Sequence, residues 1–351
     1  MNPMTQAIAL SRSRIADDRL VALWLIAVAA MIFVRVMLGG ITRLTESGLS
    51  ITEWKPISGV LPPLDAGQWQ QEFDRYKAIP EFQNLHPDMT LDQFKGIFWW
   101  EYAHRLWGRL IGFAFAIPGL WLFATGRIRA SLRPHLIALF VLGGLQGALG
   151  WFMVESGLAV RTDVSQYRLV AHLLSGLTIY AYMLWIAFGL LRPQRPAFPG
   201  AAAIRRHVLV LLVLVAGMLT TGGFTAGLDG GKIYNTFPFM GGALLPGDLL
   251  AIEPLWRNPF ENPTTAQFIH RWLAMIVAAT VLILWLRRGR LPAGARVALH
   301  LLAGMAAIQV TLGISTLLLV VPVPLAAGHQ AGAVMLLTLT LWALHAYRGA
   351  R

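Results

Sequence analysis

Two stretches of this 351-residue sequence place an imidazole beside a group that differs between them. In Phe98-Trp99-Trp100-Glu101-Tyr102-Ala103-His104-Arg105, Glu101 and His104 stand three residues apart and so share one face of a helix. In Gln267-Phe268-Ile269-His270-Arg271-Trp272 the histidine and arginine return, but Gln267 stands where the glutamate was. A carboxylate takes a proton or stabilises a developing cation, and an amide does neither. Glu101 is therefore the candidate catalyst, and the second stretch keeps the imidazole without it. Both stretches lie where a polar loop enters an apolar span, a place where ionisable groups are costly and point to function.

Four of the nine histidines extend this pattern. His104, His172, His270 and His329 each fall near the start of an apolar span, the second, fourth, sixth and eighth. His172 precedes Trp185 by 13 residues, and His329 precedes Trp342 by the same interval. Gly39-Gly40-Ile41-Thr42 ends the first span as Gly222-Gly223-Phe224-Thr225 ends the fifth, and Gln146 to Gly150 matches Gln309 to Gly313. The chain thus reads as two halves in parallel, unlike the inverted repeats of many transporters. Each half supplies two imidazoles at one membrane side, and bis-histidine ligation of a haem between bundle helices is the economical reading. Leu169, Val170, Leu173 and Leu174 suit the apolar slot a macrocycle needs. A di-iron carboxylate site needs Glu-x-x-His twice plus further glutamates, and Gln267 removes the second copy. A zinc site with two histidines wants a third protein ligand, and none is evident. His86, His135, His207, His300 and His345 have no counterpart in the repeat and read as non-ligands.

The elements that must position these groups are apolar spans. At 56% hydrophobic and 13% charged residues, with a mean hydropathy of +0.59, the chain departs from the about 25% charge of soluble domains. The net charge of +12 does not imply nucleic acid, because the arginines cluster between apolar segments. Stretches of the roughly 20 apolar residues that span a bilayer run over about 20–40, 101–124, 135–154, 168–191, 205–225, 266–286, 297–320 and 326–347. Sixteen of the 29 basic residues lie in the tail before the first span, in the loops after the second, fourth and sixth, and after the eighth. The positive-inside rule then places both termini in the cytoplasm and the four histidines toward the outer side. Two long loops, about 41–100 and 226–265, face outward, and Gln68 to Tyr76 and Leu91 to Phe98 are expected as short helices in the first. Loops of that length are commonly functional. The expected fold is an all-α polytopic membrane protein of eight transmembrane helices, forming two pseudo-symmetric four-helix bundles with long outer loops. Residues 1–191 make the first half, 192–204 a linker with Pro193, Pro196 and Pro199, and 205–351 the second half. Residues 1–19, with Asp17 and Asp18, do not resemble an acid-poor transit peptide, and the first span reads as a retained helix. With no cysteine there is no disulfide, thiolate-held cluster or cysteine-bound zinc.

Arg105 and Arg271 follow their histidines and so point to another helix face, where each would hold a haem propionate in a bidentate pair or snorkel to the interface. Arg35, roughly 7.5 Å inside the first span's outer end at 1.5 Å per residue, admits the same two readings. Trp99 and Trp100 read as an aromatic belt.

With these residues in place the sequence resembles the heme A synthase family, in its cysteine-free bacterial form. The resemblance rests on Gly39 to Ser50, reading Gly-Gly-Ile-Thr-Arg-Leu-Thr-Glu-Ser-Gly-Leu-Ser, on Glu101-x-x-His104-Arg105, and on His172, His270 and His329. It covers nearly the whole chain. It implies an oxidoreductase of the bacterial inner membrane that converts the C8 methyl of heme O to a formyl group, by successive hydroxylation and loss of water, giving heme A for cytochrome c oxidase. It implies that His104 and His172 serve the substrate haem and that His270 and His329 hold a haem b cofactor. It also implies membrane lipid around the chain, and admits heme O synthase, cytochrome c oxidase assembly factors or a second copy as partners. Some members carry a cysteine pair in the first outer loop; this chain does not, so a thiol relay of electrons does not apply to it. Two rival classes stay open at this stage. One is a di-haem cytochrome b that only passes electrons; the other is a parallel-repeat transporter, disfavoured because the polar residues hug one side.

Overall fold

The computed structural model describes residues 3–159, 161–191, 200–291 and 293–347, and in these it is all-helical. The α-helices are α1 Pro3–Leu44, α2 Ala66–Lys77, α3 Pro80–Leu85, α4 Leu91–Ala124, α5 Arg133–Leu158, α6 Gln166–Leu191, α7 Ala201–Gly227, α8 Asn258–Glu261, α9 Pro263–Leu286, α10 Ala293–Leu318 and α11 Val323–Ala346. Eight of them, α1, α4, α5, α6, α7, α9, α10 and α11, are long and apolar enough to cross a membrane.

The helix ends follow local chemistry. Asp65 caps α2 by accepting from the Gln68 backbone N–H at 2.8 Å. Thr90 and Gln93 form a capping box at the start of α4. That helix begins ten residues before the apolar span, and the short helix expected over Leu91 to Phe98 is its first part. No residue between 98 and 101 breaks the helix, and its early turns are held by burial of Phe94 and Phe98. Glu101 consequently sits well inside the helix and cannot be a first-turn cap. Of the expected linker, residues 192–199 with the three prolines lie outside the described residues, while 201–204 already belong to α7.

The spanning helices pack in two rings. In one, α1 touches α4 and α6, and α5 touches α4 and α6. In the other, α7 touches α9 and α11, and α10 touches α9 and α11. Between them run the contacts α1–α11, α6–α7 and α6–α11. Exchanging α1 with α7, α4 with α9, α5 with α10 and α6 with α11 returns the same set of neighbours. The main core lies among these helices, from Leu25 and Val28 of α1 through Leu177 and Leu184 of α6 to Val208, Leu211 and Leu341. A second core, Leu49, Phe73, Tyr76, Ile79, Phe94, Phe98 and Val164, ties the first long loop over the top of α4.

The twin glycines explain the close crossing of α1 and α11. Gln330 donates to the Val36 carbonyl at 3.1 Å, and a Cβ on Gly40 would collide with the Gln330 amide oxygen. At the related place a Cβ on Gly223 would stand 2.9 Å from Val170 of α6. Overpacking typically costs about 1–3 kcal/mol. Gly40→Ala is therefore expected to lower the unfolding midpoint in detergent, and adding Gln330→Ala to recover most of the loss. A double variant no more stable than Gly40→Ala alone would contradict this packing.

Candidate functional site

Glu101 is 3% exposed, yet none of its acceptor capacity is wasted. One carboxylate oxygen accepts from Ser50 Oγ at 2.8 Å and from the Ile51 N–H at 2.7 Å. The other accepts from Arg105 Nε at 2.9 Å and Nη2 at 2.6 Å, a fork one helical turn along. Arg105 also donates to the Ile51 carbonyl at 2.6 Å and the Glu53 carbonyl at 3.0 Å. Arg109, another turn on, donates to the carbonyls of Pro56 and Lys55 at 3.0 and 2.7 Å. The Gly39 to Ser50 stretch prepares this site: Thr42 Oγ reaches the Leu38 carbonyl at 2.8 Å, and Thr45 Oγ and Ser47 Oγ are 2.7 Å apart. Beyond it, Lys55 is the first cause that holds the Glu53 carboxyl below its usual range.

The second site repeats the arrangement without the acid. Gln267, also buried, donates to the Tyr234 carbonyl at 3.1 Å, and its own oxygen has no partner. Arg271 donates to the carbonyls of Thr236, Pro238 and Phe239 at 2.9, 3.0 and 3.1 Å, and to that of Tyr234 at 3.3 Å. Arg105 and Arg271 are thus loop clamps in both halves, Arg105 through Glu101 and backbone carbonyls, and Arg271 through its two terminal nitrogens on carbonyls, while its Nε has no partner. Arg35 donates to the His104 carbonyl at 2.9 Å, in a recess where a Cβ on Gly108 would collide with it.

Each of the four histidines rests against a glycine of a neighbouring helix. A Cβ at Gly39 or Gly222 would lie 3.0 Å from Cε1 of His104 or His270. At Gly150 and Gly313 it would lie 2.9 and 2.8 Å from His172 and His329. Nδ1 of His172 sits 3.2 Å from Gln146 Nε2, and Nδ1 of His270 sits 3.1 Å from Thr221 Oγ. Such contacts fix a ring and leave its other nitrogen for a metal. His104 and His329 have Nδ1 buried without a partner. Gln146, Gln309 and the glycines beside the rings stand in the sequence as repeat marks; in three dimensions Gln146 and the glycines meet the rings, while Gln309 donates to the His329 carbonyl at 2.9 Å.

The imidazoles of His270 and His329 fit a bis-axial haem. Their ring centres are 6.4 Å apart, with the planes at 89°. A metal–nitrogen bond of about 2 Å on each side, plus about 1 Å from nitrogen to ring centre, puts two axial rings roughly 6 Å apart. The remaining histidines have other company. His86 stands 3.4 Å from Glu46, His135 pairs with Tyr182, His207 with Arg287 and His300 with Trp285. His345 packs edge-on to Trp185.

Comparison with known proteins agrees over most of the chain. The model of the COX15-CtaA family, described as cytochrome oxidase assembly protein, matches residues 22–341. The chain is 49% identical to the heme A synthase of Rhodospirillum centenum over 336 residues, 95% of this chain and 90% of that protein. It is 47% identical to the heme A synthase of Nitrosospira multiformis, over 95% of each chain. It is also 47% identical to that of Paramagnetospirillum magneticum, over 97% of this chain and 98% of the relative. Matches of this extent leave one assignment: the chain belongs to the COX15-CtaA family of cytochrome oxidase assembly proteins.

Proposed function

We propose that this chain is a heme A synthase, an oxidoreductase that takes heme O and oxidises its C8 methyl to a formyl group by successive hydroxylation and loss of water. The observation that carries the mechanism is the buried Glu101 carboxylate, one turn from His104, set against Gln267 beside His270. His104 and His172 hold the substrate haem, and His270 and His329 hold a haem b. The bound haem b supplies one-electron chemistry. The chain's own groups do the rest: glycine-backed imidazoles fix the macrocycle, the clamped outer loop shields the site, and Glu101 takes or stabilises charge beside the methyl. A cytochrome that only passed electrons would need no carboxylate there. Residues 1–191 form the substrate half and 205–351 the cofactor half, supported by the matching sets of helix neighbours. Heme O synthase and oxidase assembly factors are the natural donor and receiver.

Orientation follows from charge. Eight spans return the chain to its starting side, and the arginine-rich loops put that side in the cytoplasm of a bacterial inner membrane. Reporter fusions at about residue 70 and about residue 245 should both read as external; a cytoplasmic signal from either rejects this orientation.

Replacing His270 or His329 by alanine should remove a six-coordinate, low-spin haem b spectrum, because apolar neighbours cannot replace an axial nitrogen. An unaltered spectrum in both variants would show the ligands to be elsewhere.

Glu101→Gln tests the catalyst. The second half shows that an amide is accommodated at this place with its arginine still on loop carbonyls. Haem content should therefore stay near normal, while heme A formation falls about 10²–10⁴-fold, the usual worth of a general acid–base group. Heme O or a hydroxylated intermediate should accumulate. Gln267→Glu should leave activity mostly unchanged. Near-normal heme A from well-expressed Glu101→Gln protein would remove Glu101 from the chemistry.

A further inference from the structure

The first outer loop descends along α4, and its hydrogen bonds record the path. Ile51 meets Glu101 and Arg105, the Glu53 carbonyl meets Arg105, and the Lys55 and Pro56 carbonyls meet Arg109. Residues 101, 105 and 109 mark successive turns of one helix face, roughly 6 Å apart along the axis. A Cβ on Gly59 would lie 3.0 Å from Arg109 Nη2, so the bottom of the loop also rests on this arginine. Tyr102, nearer the outer end of α4, then donates to the Val60 carbonyl at 2.5 Å, and the chain has turned back.

The bottom of this path lies at the depth of lipid. Roughly 20 residues counted back from the α4 end at Ala124 put the outer edge of the hydrocarbon near residue 105. Arg109 is roughly 6 Å inside that edge. Trp107, two positions earlier, donates to the Met31 carbonyl at 2.8 Å, well within the first span. Around the tip Ile57 is 86% exposed, and Leu61 and Leu64 are each 71% exposed.

The backbone at the tip is prepared for an apolar medium, where every polar group needs an internal partner. The carbonyls of Lys55, Ile57 and Ser58 accept from the N–H groups of Gly59, Val60 and Leu61 at 3.2, 3.4 and 3.5 Å. Arg109 takes the Pro56 carbonyl and Tyr102 that of Val60. Pro56, Pro62 and Pro63 have no N–H to satisfy. The Lys55 ammonium reaches Glu53 and Glu72 of the cap, 2.5 and 3.4 Å away, instead of staying at the tip. The second half lacks this descent. By the offset that pairs His104 with His270, Met275 stands in α9 where α4 has Arg109.

We propose that residues 54–64 form a foot of the outer loop that stands in the outer leaflet, with Ile57, Leu61 and Leu64 among lipid acyl chains. In water these side chains would be an apolar patch with no cover. The foot needs only that α4 spans the membrane, and it holds whatever chemistry Glu101 performs. It closes the lipid side of the α4 face that carries Glu101, Arg105 and Arg109.

The chain has no cysteine, so a single introduced cysteine carrying a nitroxide label reports its own depth. In full-length protein in lipid nanodiscs, labels at Ile57→Cys and Leu61→Cys should collide with oxygen in preference to a water-soluble nickel chelate. Ile117→Cys, on the exposed face of α4, gives the membrane reference, and the exposed Asp88→Cys in the cap gives the aqueous one. Arg109→Met, which copies the second half, should free the tip. The Ile57 label should then gain mobility and access to the nickel chelate, while the helical circular dichroism stays unchanged. An Ile57 label that behaves like the one at Asp88 would overturn the proposal. So would labels shielded from both reagents and paired closely between chains, which would make the foot an interface between copies. A tip unmoved by Arg109→Met would equally overturn it, since that arginine sets the depth.

Discussion

The buried pair of Glu101 and Arg105 is the contact on which the first half depends. A buried ion pair adds little net stability, because desolvating both charges offsets most of their attraction. Its effect here is positional. Ser50 and the Ile51 N–H satisfy the second carboxylate oxygen, and Arg105 reaches on to the Ile51 and Glu53 carbonyls. Four groups from a loop some 50 residues away are thereby fixed to α4 one turn from His104. Removing Arg105 alone would leave the Glu101 carboxylate buried without its counter-charge. The carboxylate is held rigid by the same bonds that close the loop over it.

The second half carries the same clamp with the charge removed. Arg271 grips its loop through carbonyls alone, and Gln267 keeps the shape of the acid without its proton chemistry. The two sites thus differ at the acid, while the glycine contacts of the four imidazoles are alike. The glycine pairs also join the halves. Gly39 backs His104 while Gly40 admits Gln330, the residue after His329. A displacement at one imidazole therefore has a short packed path to the other half.

Much of this was legible in the sequence, and the omissions have physical causes. The apolar spans, the helix Ala66–Lys77, the four histidines and the Glu101–Gln267 contrast all rest on local composition or on the repeat, which a sequence displays directly. The start of α4 was placed late because apolar content marks where a helix enters lipid, not where it begins. Thr90 and Gln93 carried the missing signal as a capping box. The clamps on Glu53, Pro56 and Thr236 escaped notice because carbonyl acceptors belong to every residue and have no sequence signature.

The central claim is that one half presents a haem to a carboxylate for chemistry while the other keeps a haem as an electron carrier. Extracting and identifying the pigments of the purified protein tests this most directly. The account predicts haem b together with heme O or heme A, with the second kind assigned to the half that holds Glu101. Haem b alone, filling both halves, would contradict it and leave a cytochrome that only moves electrons.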